Sequence, residues 1–341
     1  MKRLVTFLFL CCSIAIFAQK SDMPIIQSYD YALPENNVSP IALGMGGLNV
    51  TYAGDFYSSY SNPALIGDND ISLLVGAFRI KSDDPVNFAE AAQFSNILKP
   101  KQLKYFSLLA KQTAWTYQPV ASVHIVETPE TGYGYRYYDY KLDKVQATIA
   151  GSDDSWEPIR FGLNLKYLTG RLVYLESTNP NSFIDDKLNG FSTDLGFTLQ
   201  TGSFTYGLAA YDIFSRLYWE HYNSEAIQRR VALGIQYGTD NFNLNLGLQG
   251  KISQSTDTTY HLGGQYIWTW DSQNYNAENT NKSLALRAGL YSHNFYGTQN
   301  INYTIGGGYN YNIFRYDFSL NNKGMKLKDS VLLISLGIGM P

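Results

Sequence analysis

The sequence predicts an all-β fold: a transmembrane antiparallel β-barrel of about 14 strands. Apolar and polar residues alternate with period two along most of the chain, and the alternating segments are long for a soluble sheet. The composition combines 28 Tyr and 29 Gly with only 16% charged residues, whereas an average soluble domain carries about 25%. A formal charge of -3 provides no basic surface for phosphate, so nucleic acid is not predicted as a partner.

The amino terminus has the features of an export signal. Lys2 and Arg3 precede an apolar run over residues 4–18, which is shorter than the ~20 residues that a spanning helix needs. Residues 1–18 are therefore predicted to be a cleaved signal peptide. Both cysteines, Cys11 and Cys12, lie inside it. The mature chain then has no thiol for a disulfide or a thiolate metal site, and no metal or cofactor is predicted.

The alternation assigns one face of each strand to lipid and the other to the barrel lumen. Residues 242–252 are the clearest example, with Leu246 on the apolar face and Asn245 on the polar face. Tilted strands that cross a bilayer need about 9 to 11 residues. The predicted strands are 70–80, 103–113, 115–126, 138–149, 158–170, 190–201, 204–213, 229–238, 241–252, 259–270, 282–292, 299–310, 313–321 and 329–340.

The connections also alternate in length. Tight turns are predicted at 201–203, at 239–240 and near 311–312, and longer stretches at 171–189, 214–228 and 321–328. This alternation is typical of outer-membrane barrels, as are aromatic residues near the strand ends. The connection 271–281 departs from the pattern, because it is long where a short turn is expected.

A few charged residues occupy positions that the alternation assigns to the lumen. Opposite charges inside a lumen either pair and hold the shape of the barrel or act in gating and ligand contact, and the pairing interpretation is favoured. The predicted lumen charges are Lys166, Asp194, Arg230, Arg287, Arg315 and Asp317.

The segment before the first strand carries a different pattern. Residues 20–69 contain four prolines and a glycine-rich run, neither of which is typical of strands. The elements Gly44-Met45-Gly46-Gly47, Asp55 and Asn62-Pro63-Ala64 follow one another before the first strand. In these elements the chain resembles the FadL-like family of outer-membrane transport proteins for hydrophobic compounds.

The resemblance implies three regions: the signal peptide 1–18, a hatch or plug over 19–69 inside the lumen, and the barrel over 70–341. It also implies passive uptake of fatty acids or of aromatic or aliphatic hydrocarbons across the outer membrane of a Gram-negative bacterium. In this family a hatch shifts and ligand leaves sideways through the barrel wall; a static plug is the alternative. The predicted hatch residues are Gly44, Gly46, Gly47, Asp55, Asn62, Pro63 and Ala64. Lumen glycines at 162, 196, 247, 289, 306 and 308 would leave room for the inserted segment.

Two predicted loops are candidates for contact with a ligand. Residues 81–102 have helix-like spacing, and 214–228 contain an aromatic patch suited to an apolar ligand or a partner protein. Packing on the barrel rim is the alternative for both. The patch consists of Phe214, Leu217, Tyr218, Trp219 and Tyr222.

A second function remains open at this level. The same superfamily includes a barrel of the type IX secretion machinery, which binds protein partners, although that barrel resembles Asn-Pro-Ala-Lys where this chain has Leu65. An enzyme is not predicted. The four histidines lie far apart, and the sequence has no HExxH, GxSxG or phosphate-loop motif.

Overall fold

The computed structural model describes residues 20–23, 37–68, 72–81, 103–128, 134–152, 158–252, 254–273, 279–295, 298–323 and 331–340. The predicted signal peptide and nearly all of the predicted loop 81–102 lie outside these residues. Fourteen antiparallel strands form a closed barrel, in which each strand pairs with its neighbours in sequence and the last pairs with the first. The fold class predicted from the alternation is confirmed.

The strands are named in chain order. They are β1 Ser72–Lys81, β2 Leu103–Ala110, β3 Thr113–Glu127, β4 Arg136–Ser152, β5 Ile159–Glu176, β6 Asn179–Thr201, β7 Phe204–Trp219, β8 Arg230–Gly238, β9 Phe242–Lys251, β10 Gln254–Gln273, β11 Asn279–Phe295, β12 Thr298–Tyr311, β13 Phe314–Lys323 and β14 Val331–Met340. The lower end of the barrel is the end at which β1 begins and β14 ends; the upper end is opposite.

The predicted faces are also confirmed. Leu246 on β9 is 54% exposed on the outside, whereas Asn245 is 5% exposed on the inside. Large apolar side chains, such as Trp115, Leu165 and Ile305, cover the outer surface in this way around the ring of strands. We call this surface the apolar belt.

Tight turns close the lower end. Gln112, Gly202 and Asn312 each lie in a two-residue turn with positive φ, at 59°, 58° and 52°. Left-handed residues suit such hairpins because their twist matches that of the paired strands. The predicted turns at 201–203 and near 311–312 are confirmed, and 239–241 also joins two strands directly.

Several strands extend further than the alternation predicts. β5 and β6 continue to a two-residue turn at 177–178, so most of the predicted connection 171–189 is strand. β7 continues to Trp219, and β10 and β11 leave only 274–278 between them. The predicted boundaries are wrong here because these extensions pass the apolar belt. Backbone pairing maintains the strands there, and at the upper end their outward faces no longer carry the continuous apolar pattern of the belt.

The described residues shortly before β1 lie inside the ring of strands. Residues 37–68, called here the lumen segment, contain helix α1 Pro40–Gly44, helix α2 Ser58–Ser61 and a 3-10 helix Pro63–Asp68. Most of the segment is buried, and it packs against inward faces of the strands. In the part of the chain that is described, no helix is long and apolar enough to cross a membrane.

Candidate functional site

Eight consecutive strands, β5 to β12, each place one glycine on the wall beside the lumen segment. Gly162 pairs directly with Gly196, and Gly207, Gly234 and Gly247 follow one another across β7, β8 and β9. The missing side chains leave a band of bare backbone around the inside of the barrel. We call this band the glycine track: Gly162, Gly196, Gly207, Gly234, Gly247, Gly263, Gly289 and Gly306.

The lumen segment lies directly on the glycine track. A methyl group placed on Gly263 would overlap the carbonyl oxygen of Met45, and one on Gly207 would overlap that of Val50. Further along the track, Gly162 faces Pro63 in the same close manner. The wall and the segment therefore meet backbone to backbone, a contact that no other residue type permits.

The glycines that contact the lumen segment differ from the sequence prediction in two ways. Gly308 faces inward, but the side chains of Asp317 and Arg287 fill the space over it, so it takes no part in the track. Gly207, Gly234 and Gly263 were missed as track members. Their positions in the period-two alternation are the signal that identifies them.

Polar lumen side chains bind the backbone of the segment. His261 Nδ1 lies 2.6 Å from the carbonyl oxygen of Gly46, which can only accept, so Nδ1 carries the proton. Gln146 and Asn164 donate to the carbonyl of Ser59 at 3.0 and 2.9 Å. These carbonyls have no ladder partner, and the lumen side chains satisfy them instead.

Asp55 holds the segment together internally. Its carboxylate accepts from Ser39 Oγ at 2.8 Å, from Asn49 Nδ2 at 3.1 Å and from the backbone N–H of Tyr57 at 3.0 Å. Ser39 Oγ also accepts from Ala42 N, which caps helix α1. Asp55 is fully buried, and burial raises the pKa of its carboxyl while these hydrogen bonds act in the opposite direction.

The predicted hatch residues lie together in this segment. Asn62 Nδ2 donates to Val50 O at 2.8 Å and to Phe197 O on β6 at 3.3 Å, and its Oδ1 accepts from Ala64 N. Pro63, between them, begins the 3-10 helix. Gly46 and Gly47 have φ of 87° and 85°, and Gly44 rests against Gly306. Both close approach and positive φ therefore require glycine in this run.

Three of the predicted lumen charges form one buried cluster. Lys166 Nζ lies 2.6 Å from Asp194 Oδ1 and 3.0 Å from Asp212 Oδ1, and Arg230 lies 3.5 Å from Asp212 Oδ2. The sequence reasoning missed Asp212. It sits in a bulge of β7 with φ of 57°, where the register against β6 shifts. Because a bulge breaks the alternation, the sequence pattern does not place Asp212 inside.

The remaining lumen charges form a second group on β11 and β13. Arg287 Nη1 lies 2.7 Å from Asp317 Oδ1, and its Nε donates to Gln265 Oε1 at 3.1 Å. The guanidinium of Arg315 stacks on the ring of Phe56 in the lumen segment, 3.9 Å from its centre. Barrel wall and segment thus share polar and cation–π contacts.

Above the polar cluster, the inward faces of β3 to β7 become apolar. Met23, Tyr222 and Ile227 pack against this set of buried residues, which we call the upper cluster. It consists of Ala121, Tyr140, Leu142, Leu168, Leu172, Leu188, Leu217 and Trp219.

The predicted aromatic patch is divided between two faces. Leu217 and Trp219 point inward into the upper cluster, and Tyr222 packs against it from the connection after β7. Phe214 and Tyr218 point outward and are 68% and 51% exposed. The prediction of one loop-borne patch is wrong, because the segment continues as a strand whose neighbouring side chains alternate in direction.

A groove of about 720 Å³ lies in the outer wall behind the glycine track. Gly207, Gly234 and Gly247 form part of its floor. Its walls are mostly apolar and include Leu208, Leu233, Ile235, Leu246, Leu248 and Leu262.

Comparison with known proteins shows the fold alone. No protein-family model and no curated protein matches the sequence. The TodX monoaromatic hydrocarbon channel deltaS2 mutant matches with a TM-score of 0.51 and 11% identity, covering 90% of this chain and 98% of the other. The TodX deltaS2S3 mutant gives 0.50 and 12%, covering 88% and 97%. The toluene transporter TodX of Pseudomonas putida gives 0.48 and 10%, covering 94% and 98%.

Proposed function

We propose that this chain is an integral outer-membrane protein that allows passive uptake of hydrophobic small molecules, with the lumen segment as its hatch. The upper cluster carries this proposal. A water-filled porin has a polar interior, whereas the inward faces above the lumen segment bury leucines, Tyr140 and Trp219. An apolar solute that inserts among these side chains is stabilised there, and a hydrated polar solute is not.

The fold and the apolar belt support this assignment. Two solved structures that match with TM-scores of 0.51 and 0.50 are described as monoaromatic hydrocarbon channels. In the proposed orientation the tight turns of the lower end face the periplasm and the upper end faces outward. A molecule entering from outside then meets the upper cluster before the lumen segment.

Below the upper cluster, the lumen segment occludes the barrel interior. The segment is held by backbone contact along the glycine track and by hydrogen bonds such as the one from His261 Nδ1 to Gly46 O. Uptake therefore requires the segment to shift. A ligand promotes the shift only if it binds the shifted state more tightly than the seated one. Fatty acids and aromatic or aliphatic hydrocarbons are the proposed substrates.

Uptake into liposomes tests this proposal. Purified mature protein should take up toluene and a medium-chain fatty acid faster than protein-free liposomes do. Leu188→Gln makes the upper cluster polar and should slow this uptake several-fold without slowing entry of a small sugar. Asn189→Gln changes the adjacent, outward position and should leave uptake unchanged. Equal uptake by wild-type and empty liposomes would refute the proposal.

A scaffold that binds secreted or surface proteins is the second candidate. The extended upper ends of the strands expose Ile125, Val126 and Phe183 to 40%, 59% and 56%, and apolar rim residues of this kind favour a protein partner. Cross-linking from position 126, followed by recovery of one partner in fixed stoichiometry, would support this function. The same yield from a matched cross-linker at Asp240, on the lower end, would contradict it.

A further inference from the structure

The upper rim brings together three potential metal ligands, one on β6 and two in the connection after β7. Leu188 on β6 pairs with Trp219 on β7, so Asp186 lies opposite the residues that follow β7. The backbone N–H of Glu220 donates to the carbonyl of Lys187 at 3.0 Å and holds the two edges together. One ligand atom from each of Asp186, Glu220 and His221 lies within 4.8 Å of the others.

Asp186 is a buried carboxylate with unused acceptor capacity. Its side chain is 1% exposed, and within the described residues every hydrogen-bond donor to it comes from His221. The backbone N–H of His221 lies 3.3 and 3.2 Å from the two oxygens, and ring Nδ1 lies 2.8 Å from Oδ1. Two carboxylate oxygens offer about four acceptor sites. A buried carboxylate whose acceptor sites are not all filled by hydrogen-bond donors is stabilised by a cation.

The three ligands lie outside the apolar belt, where ions have access. Asp185, next to Asp186, forms an outward ion pair with Arg171 at 2.6 Å, and charged pairs of this kind do not face hydrocarbon. The side chain of His221 is 70% exposed, and Glu220 is exposed as well. Lys20 Nζ lies at this corner and donates to the carbonyl oxygens of Trp219 and Glu220, at 3.2 and 2.8 Å.

We propose that Asp186, Glu220 and His221 bind a Zn²⁺ ion, with water as a fourth ligand. One imidazole nitrogen and two carboxylates form a donor set that suits zinc. The ion takes the place of the contact between His221 Nδ1 and Asp186 Oδ1, now 2.8 Å apart. It links β6 to the connection after β7, to which residues 20–23 are bound: Asn223 N donates to Ser21 O at 2.9 Å, and Asn223 Nδ2 donates to Asp22 Oδ1 at 2.8 Å. Zinc binding would therefore fasten the start of the chain to the upper rim.

Calorimetric titration of ZnCl₂ into the mature protein in detergent, purified without a histidine tag, tests this site. Wild-type protein should bind one zinc per chain. His221→Ala and Asp186→Asn should each weaken binding at least tenfold. His124→Ala is the matched control, because His124 is an exposed histidine on β3, a strand that pairs with neither β6 nor β7, and should have no effect. X-ray absorption should show one imidazole nitrogen among oxygen ligands at about 2.0 to 2.2 Å.

The proposal would be overturned by the absence of stoichiometric zinc binding in the wild type, or by unchanged affinity in His221→Ala. Because His221 is exposed, its variant should fold normally, so the result does not depend on Asp186→Asn folding. A zinc ion that binds with all-oxygen ligands would also contradict the site.

Discussion

Gly196 on β6 lies so close to Asn62 of the lumen segment that a methyl group on the glycine would overlap the amide oxygen of Asn62. The asparagine uses the space that a side chain would otherwise fill. From there its Nδ2 reaches both Val50 O and Phe197 O. One glycine in the wall thus fixes the position of the turn that precedes the 3-10 helix.

Gly196→Ala should therefore displace the lumen segment. Overpacking of this kind costs about 1 to 3 kcal/mol, so limited proteolysis should cut within residues 37–68 faster than in wild type. Gly151→Ala is the control, because nothing lies within 4 Å of a methyl group at that position. Equal rates of proteolysis in both variants would show that the glycine track does not fix the position of the lumen segment.

Asp55→Ala should loosen the segment from within. The change leaves Ser39, Asn49 and the Tyr57 N–H without their shared acceptor, and each unsatisfied buried donor costs about 1 to 3 kcal/mol. Hydrogen exchange of the amides between 39 and 57 should become faster, while exchange in the strands stays the same. Asp240→Ala, at an exposed turn, should change neither the exchange of these amides nor that of the strands. Unaltered exchange in Asp55→Ala would mean that other contacts hold the segment.

Asp212→Ala should destabilise the whole barrel. It removes one carboxylate from a buried cluster, so that the positive charges of Lys166 and Arg230 are no longer fully balanced by nearby negative charge. Such an imbalance lowers the free energy of unfolding by about 3 to 5 kcal/mol. Asp185→Ala breaks the exposed pair with Arg171 and should have little effect, because solvent screens that pair. Urea unfolding of both variants in detergent measures the difference, and similar midpoints would contradict this account of the cluster.

Leu246→Arg should impair insertion into a bilayer. An arginine on a lipid-facing strand near the midplane costs about 2 to 4 kcal/mol. Asn245→Arg, one position away and facing the lumen, should be milder, since its charge stays among polar groups. The yield of each variant folded into lipid vesicles compares the two faces. If both yields fall equally, the outer surface at β9 does not face lipid.

Deletion of residues 20–64 should leave a folded barrel with raised nonspecific permeability. The strands pair with one another around the full ring without the segment, and its removal uncovers the glycine track and the polar lumen. Liposome swelling with a small sugar measures the change. Wild-type permeability in the deletion variant would argue against the segment as the barrier.

The sequence by itself determined the fold class and the faces of the strands. Period-two alternation is a local property, since successive side chains of a strand point to opposite sides whatever the strand packs against. Leu246 and Asn245 are therefore assigned correctly without any knowledge of neighbouring strands. Local turn chemistry likewise identifies Gly202 and Asn312.

Only the tertiary structure decided the contacts between distant parts of the chain. The glycine track depends on the register of eight strands, and the pairing of Gly196 with Asn62 spans 134 residues of sequence. Asp212 points inward because a bulge interrupts the alternation that would otherwise place it. Asp186 meets His221 because β6 and β7 extend beyond the apolar belt and pair there, and the sequence of either strand alone does not show which residues of the other lie opposite. Register is set jointly by the side-chain patterns of the two paired strands and by the turn between them, so the order of residues along one strand does not contain it.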